Sequence, residues 1–231
     1  MTLTITSDKS DQQPNLQPSA QSLVDALSPD LAPFKGNLNG ACNGKAPRTL
    51  LVTSSKNGEG KTISSVSIAQ TLNNDGQFKV LIIDANFRSP KLHQLYGIEQ
   101  SAGFGELVLE DVPQESVCLS TSTTNLDLLC FGLLKQNPME IFESDKFQKK
   151  LALLSQNYRY IVVDADSILT SSEVSLICPF FDGILMVIEC ESTKWQVVKI
   201  AADKINKAGG RLLGSILNRR KFYIPRFFYG T

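Results

Sequence analysis

Eight consecutive residues, Ser55-Lys56-Asn57-Gly58-Glu59-Gly60-Lys61-Thr62, carry the clearest chemistry in the chain. An apolar run, Leu50-Leu51-Val52, precedes them, and a helical pattern opens near Thr62. Strand, glycine-bearing turn, Lys-Thr and helix together form the layout of a phosphate-binding loop. Backbone N–H groups in such a turn point at an anion, and the helix dipole favours negative charge there. The candidate nucleotide contacts are therefore Lys56, Asn57, Gly58, Glu59, Gly60, Lys61, Thr62 and Ile63. Lys61 is placed to reach the β- and γ-phosphates, and the Thr62 hydroxyl to hold Mg²⁺. The usual first position is Gly or Ala, and Ser55 stands there instead. Lys56 has two readings: an exposed loop lysine, or one that reaches the phosphates of a second copy.

Two acids complete the constellation. Asp84 and Asp164 each end an apolar run, Leu81-Ile82-Ile83 and Ile161-Val162-Val163. In a parallel sheet all strand C-termini share one edge, which is where the phosphate loop lies. Both carboxylates are thus candidate Mg²⁺ contacts with Thr62, and Asp84 is also a candidate proton acceptor. The bland alternative for each is a helix N-cap.

The elements that would position these groups alternate. Strands are predicted at Thr49 to Thr53, Lys79 to Asp84, Leu126 to Phe131, Tyr160 to Asp164, Ile184 to Glu189 and Leu212 to Leu217. Helical periodicity runs from Ile63 to Leu72, from Pro138 to about Gln156, and from Trp195 to Ala208, with Trp195 expected in the core. Continuous apolar strands imply burial on both faces. The expected fold is α/β, a doubly wound, mostly parallel sheet of the P-loop NTPase type. Residues 1–45 read as a flexible arm with a possible short helix at Ser22 to Leu27, Leu23, Ala26 and Leu27 forming its apolar face. Residues 46–218 read as the ATP-binding domain and 219–231 as a basic–aromatic tail.

The chain of 231 residues has 23 basic and 23 acidic residues, so its net charge does not point to nucleic acid. Five cysteines without C-x-x-C spacing speak against a disulfide framework or a thiolate metal site and suit a reducing cytosol. No apolar run is long enough to span a bilayer, so membrane contact is expected to be peripheral.

The segment Leu81-Ile82-Ile83-Asp84-Ala85-Asn86-Phe87-Arg88-Ser89-Pro90-Lys91-Leu92-His93 resembles the second Walker-type motif of the bacterial tyrosine kinases of capsule and exopolysaccharide synthesis. Further pieces follow in that family's order: Gly58 to Thr62, Asn137-Pro138-Met139-Glu140-Ile141-Phe142-Glu143-Ser144, Asp182 to Val187 followed by Thr193, and Gly214-Ser215-Ile216-Leu217-Asn218. The resemblance implies Mg·ATP-dependent phosphorylation of tyrosines in the tail of a neighbouring subunit. It implies a transmembrane polysaccharide co-polymerase (chain-length determinant) as partner, and a cytoplasmic site at the inner face of the plasma membrane. It assigns Lys61, Asp84, Arg88 and Asp164 to catalysis and puts Asn218 near the adenine. Tyr223 and Tyr229 become the candidate phospho-acceptors.

Three departures stand out. Asn86 replaces the second acid of the family's D-x-D-x-R. Ala165-Asp166-Ser167 replaces Thr-Pro-Pro, which raises the question whether Asp166 compensates for Asn86. The E-x-x-R-x-x-R signature of ring assembly is missing ahead of the first strand, leaving self-association open. Two other readings compete: a non-catalytic ATP-binding regulator of the membrane partner, and an ATPase switch of the partition or septum-placement type.

Overall fold

The computed structural model describes residues 13–41, 48–134 and 139–220. Its strands are β1 (Thr49–Ser54), β2 (Val80–Asp84), β3 (Leu119–Ser120), β4 (Leu126–Leu129), β5 (Tyr160–Asp164), β6 (Gly183–Glu189) and β7 (Leu212–Asn218). They form one sheet in the order β3-β4-β2-β5-β1-β6-β7. Only the short β3 runs antiparallel to its neighbour. The helices are α1 (Pro18–Leu31), α2 (Phe34–Ala41), α3 (Lys61–Asn73), α4 (Leu92–Leu95), α5 (Phe104–Leu109), α6 (Gln114–Val117), α7 (Met139–Glu143), α8 (Asp145–Asn157), α9 (Ser172–Ile177) and α10 (Trp195–Lys207).

The central strands are apolar throughout because both faces are covered. In β2, Leu81 and Ile83 join the core shared with α5, α7, α8 and α10. Val80 and Ile82 point the other way, into the core shared with α1 and α3. The same alternation separates Ile161 and Val163 from Tyr160 and Val162 in β5. One core is aromatic, with Phe104 edge-on to Phe147 at 5.9 Å between centroids. The other is largely aliphatic and packs the sheet on α3.

The arm and two of the helices differ from expectation. Residues 18–41 form two helices, and α1 lies along α3. Ala20, Val24 and Leu31 turn inward, while Leu23 is exposed and Leu27 is only partly buried. Pro29 sits inside α1. The reason lies in α3, which buries Val66, Ile68, Ala69 and Leu72 together with Ser64, Ser65 and Ser67. A helix buried on so many sides requires a second layer, and α1 supplies it. The helix expected up to Gln156 is split at Ser144, whose side chain accepts the Lys146 N–H as the N-cap of α8; Asn137 and Pro138 lie outside the described residues. Trp195, expected in the core, is 68% exposed at the start of α10, where Ala201 and Ile205 face inward.

Candidate functional site

The loop between β1 and α3 is shaped by two glycines. Gly58 and Gly60 adopt φ of +87° and +92°, a left-handed conformation that favours glycine. At Gly60 space matters as well, since a Cβ there would sit 2.0 Å from the Asn218 Nδ2. That amide donates to the Glu59 carbonyl at 2.9 Å. Asn218, expected near an adenine, therefore touches the loop itself from the end of β7.

Glu59 is fully buried beneath the loop. Its carboxylate accepts from the Ser55 hydroxyl at 2.8 Å, the Lys56 N–H at 2.9 Å, the Glu189 N–H at 3.3 Å and the Thr193 hydroxyl. Burial pushes its pKa up, but the donors from Thr193, Lys56, Ser55 and Glu189 together hold it below its ordinary value. Ser55 thus has a physical role: its hydroxyl closes one corner of a clamp joining the loop to the segment after β6. Lys56 extends along the same segment, its Nζ 3.1 Å from the Ser192 Oγ.

Lys61 is buried, and its ammonium donates to Ser167 Oγ at 3.0 Å. Ser167 Oγ donates in turn to Asn57 Oδ1 at 2.6 Å and lies 3.2 Å from Ser54 Oγ. Burial lowers the Lys61 pKa, while the charges of Asp164, Asp166 and Glu59 oppose the shift. Asp164 accepts from the Ser65 hydroxyl at 3.1 Å, and the Thr62 side chain lies close enough to lower its pKa against the rise caused by burial.

Asp84 is paired in register with Asp164 across β2 and β5. Its Oδ1 accepts the Asn86 N–H at 3.0 Å, and its Oδ2 accepts those of Lys91 and Leu92 at 2.9 and 3.0 Å. In this state it caps the turn into α4. Burial first, and then the neighbouring Asp164 charge, pushes its pKa above the usual carboxylate range.

Asn57, Gly58, Gly60, Lys61, Thr62 and Ile63 line one cavity of about 320 Å³ with Asn86, Arg88 and Asp166. Lys56, Glu59, Asp84, Asp164 and Asn218 do not line it; the last four lie behind or beneath the loop and strand ends. Arg88 bridges to the loop after β5. Its Nη1 donates to the Thr170 carbonyl at 3.0 Å, its Nη2 lies 3.4 Å from Glu173, and its Nε lies 3.7 Å from Asp166. Tyr223 and Tyr229 lie outside the described residues. Sequence reasoning missed Ser65 and Ser167. Ser65 carried a faint signal, one turn beyond Lys61 on the same face, whereas Ser167 had none beyond following Asp164.

The donors suit Mg²⁺. Asp164 Oδ2 and Asp166 Oδ2 are buried without hydrogen-bond partners, and Thr62 sits beside Asp164. Hard oxygen donors of this kind match a cation that takes one or two carboxylates and completes its shell with phosphate and water. Among the described residues no group of three or more His, Cys, Asp or Glu forms a cage.

No protein-family model matches the chain. CapB of Staphylococcus aureus, which carries a tyrosine-protein kinase assignment, is 32% identical over 172 residues, spanning 74% of this chain and 75% of CapB. This chain belongs to the bacterial tyrosine-protein kinase family. A second member, the tyrosine-protein kinase YwqD of Bacillus subtilis, is 27% identical over 201 residues, covering 86% of this chain and 84% of YwqD. The solved kinase domain of VpsO superposes with a TM-score of 0.78 at 28% identity, over 89% of this chain and all of that domain. The septum-site-determining protein MinD of Pyrococcus horikoshii, solved with Mg-ADP, shares the fold at a TM-score of 0.62 and 21% identity, over 78% of this chain and 75% of MinD.

Proposed function

We propose that this chain binds Mg·ATP at residues 56–63 and transfers the γ-phosphoryl group to tyrosine. The observation that carries the reading is the convergence of Lys61, Thr62, Arg88 and Asp166 on one cavity at the C-terminal edge of β1, β2 and β5, in a member of a kinase family.

Lys61 is held in place before nucleotide arrives, so little side-chain ordering remains to oppose binding. The Ser167 hydroxyl is a weaker partner than a phosphate oxygen, so the ammonium is free to exchange one for the other. The loop amides and Gly58 line the phosphate side of the cavity. Arg88, steered by Glu173 and the Thr170 carbonyl, lines the same cavity and is the group proposed to stabilise the charge that develops as phosphoryl leaves ADP. Thr62, Asp164 and Asp84 are the groups proposed to hold Mg²⁺, with Asp84 released from its turn amides to do so. When bound, Mg²⁺ neutralises charge on the triphosphate and fixes its orientation.

Tyr223 and Tyr229 are the proposed acceptors, offered to a neighbouring copy. The proposed partner is a transmembrane polysaccharide co-polymerase subunit of capsule or exopolysaccharide synthesis, at the inner face of the plasma membrane. Among the described residues no helix is long and apolar enough to cross a membrane.

Incubation with Mg·ATP followed by mass spectrometry of the last residues tests the reading. Phosphotyrosine at Tyr223 or Tyr229 is the expected result. Released phosphate with unlabelled tyrosine would replace it with an ATPase switch. Nucleotide binding without either product would replace it with a nucleotide-dependent regulator.

A further inference from the structure

The second acid of the D-x-D-x-R motif is absent at Asn86, yet a carboxylate lines the same cavity from the loop after the neighbouring strand. Parallel pairing of β2 and β5 puts Asp84 opposite Asp164. Two residues beyond each of these acids, Asn86 and Asp166 both line the cavity with Lys61 and Thr62.

Asp166 is held as a site residue would be. The Thr53 hydroxyl anchors its carbonyl at 2.6 Å, and the Ser167 N–H holds its Oδ1 at 2.7 Å. Its Oδ2 is buried and has no hydrogen-bond partner. Leaving a buried carboxylate oxygen without a donor is costly. The nearest cation, Arg88 Nε at 3.7 Å, is beyond hydrogen-bond range. Arg88 also has Glu173 at 3.4 Å and the Thr170 carbonyl at 3.0 Å, so Asp166 is not needed as its only anchor. Asn86 meanwhile spends its side-chain oxygen on the Ser89 N–H at 3.1 Å.

We infer that Asp166 supplies, from the loop after β5, the negative charge that Asn86 does not supply from the turn after β2, acting on the Mg²⁺ of the bound nucleotide through a metal-held water. The carboxylate for this seat comes from the segment after β5 instead of the segment after β2, and both segments open on the same cavity. The inference rests on the nucleotide reading of the cavity but not on phosphoryl transfer to tyrosine.

The test is the affinity of methylanthraniloyl-ADP in Mg²⁺ against EDTA, which needs no turnover. In Asp166→Asn the gain conferred by Mg²⁺ falls about 10-fold, the usual cost of removing an outer partner of a bound metal, while affinity in EDTA does not fall. Moving the charge back, in Asn86→Asp/Asp166→Asn, restores the gain. An unchanged gain in Asp166→Asn, or a double variant no better than the single one, overturns the inference. If circular dichroism shows Asp166→Asn unfolded, Asn86→Asp alone decides. An unchanged gain supports a seat already filled, and a rise of about 10-fold means that the seat was vacant and overturns the inference. Loss of the Mg²⁺ gain only in Asp166→Asn separates this claim from the nucleotide reading, because failure of the latter abolishes the gain in the parent as well.

Discussion

At the scale of single residues, two side chains govern the loop from opposite sides. Lys61 is buried and points at Ser167, so its removal leaves the fold's core in place and takes away the charge that faces phosphate. Lys61→Ala is expected to abolish the rise in melting temperature that Mg·ADP produces in the parent, measured by thermal denaturation with and without nucleotide. Glu59 acts from beneath. Glu59→Gln replaces one acceptor oxygen by an amide that faces donors, and the expected cost is about 1–3 kcal/mol in urea denaturation. The same change should weaken nucleotide binding, because the loop conformation depends on Ser55, Lys56 and Thr193 meeting that carboxylate. A Glu59→Gln protein with parental stability and affinity would show that the clamp is incidental.

At the scale of elements, α1 is the informative one. It covers α3, whose first residues are Lys61 and Thr62, so the support of the phosphate loop begins in a stretch far upstream in sequence. Val24 is fully buried in that contact. Val24→Asp places an unpaired charge there, with an expected loss of at least about 3 kcal/mol. Leu23→Asp, one residue away on the exposed side, should leave stability within about 0.5 kcal/mol. Equal effects of the two in urea denaturation would mean that α1 does not pack on α3 as described. The split between α7 and α8 carries a similar lesson on a smaller scale. Ser144 can serve as an N-cap because its hydroxyl meets the Lys146 N–H, and that local bond ends one helix and starts the next.

At the scale of the whole molecule, stability should depend on pH through the buried acids. Glu59 titrates below its ordinary value of 4.5 in the folded protein. A carboxyl with a depressed folded pKa stabilises above its unfolded value, and that contribution is lost as pH falls through the folded one. The melting temperature of the parent should therefore drop on acidification below about pH 4.5, and Glu59→Gln should show a shallower drop. Parallel curves for the two proteins would exclude Glu59 as a source of the acid sensitivity.

Much of this molecule is legible in its residue types and their spacing. The strand order was not legible, but the apolar runs ending at Asp84 and Asp164 revealed a parallel sheet covered on both faces, because only such strands lack a polar side. The loop from Ser55 to Thr62 announced a phosphate site through its glycines and Lys-Thr pair, and the ordered motifs announced the kinase family. Long-range packing was hidden. Whether Trp195 is buried depends on what α10 meets, not on its own periodicity. The inward face of α1 could not be chosen from Leu23 and Leu27 without knowing that α3 needed a cover. The roles of Ser55, Ser167 and Asn218 arise from neighbours more than 100 residues away in two of the three cases. For Asp166 the sequence posed a question, and the fold put it on the same cavity as Asn86. Residue types determine which chemistry is available, whereas the direction a carboxylate faces is decided by strand pairing and by the amides that reach it first.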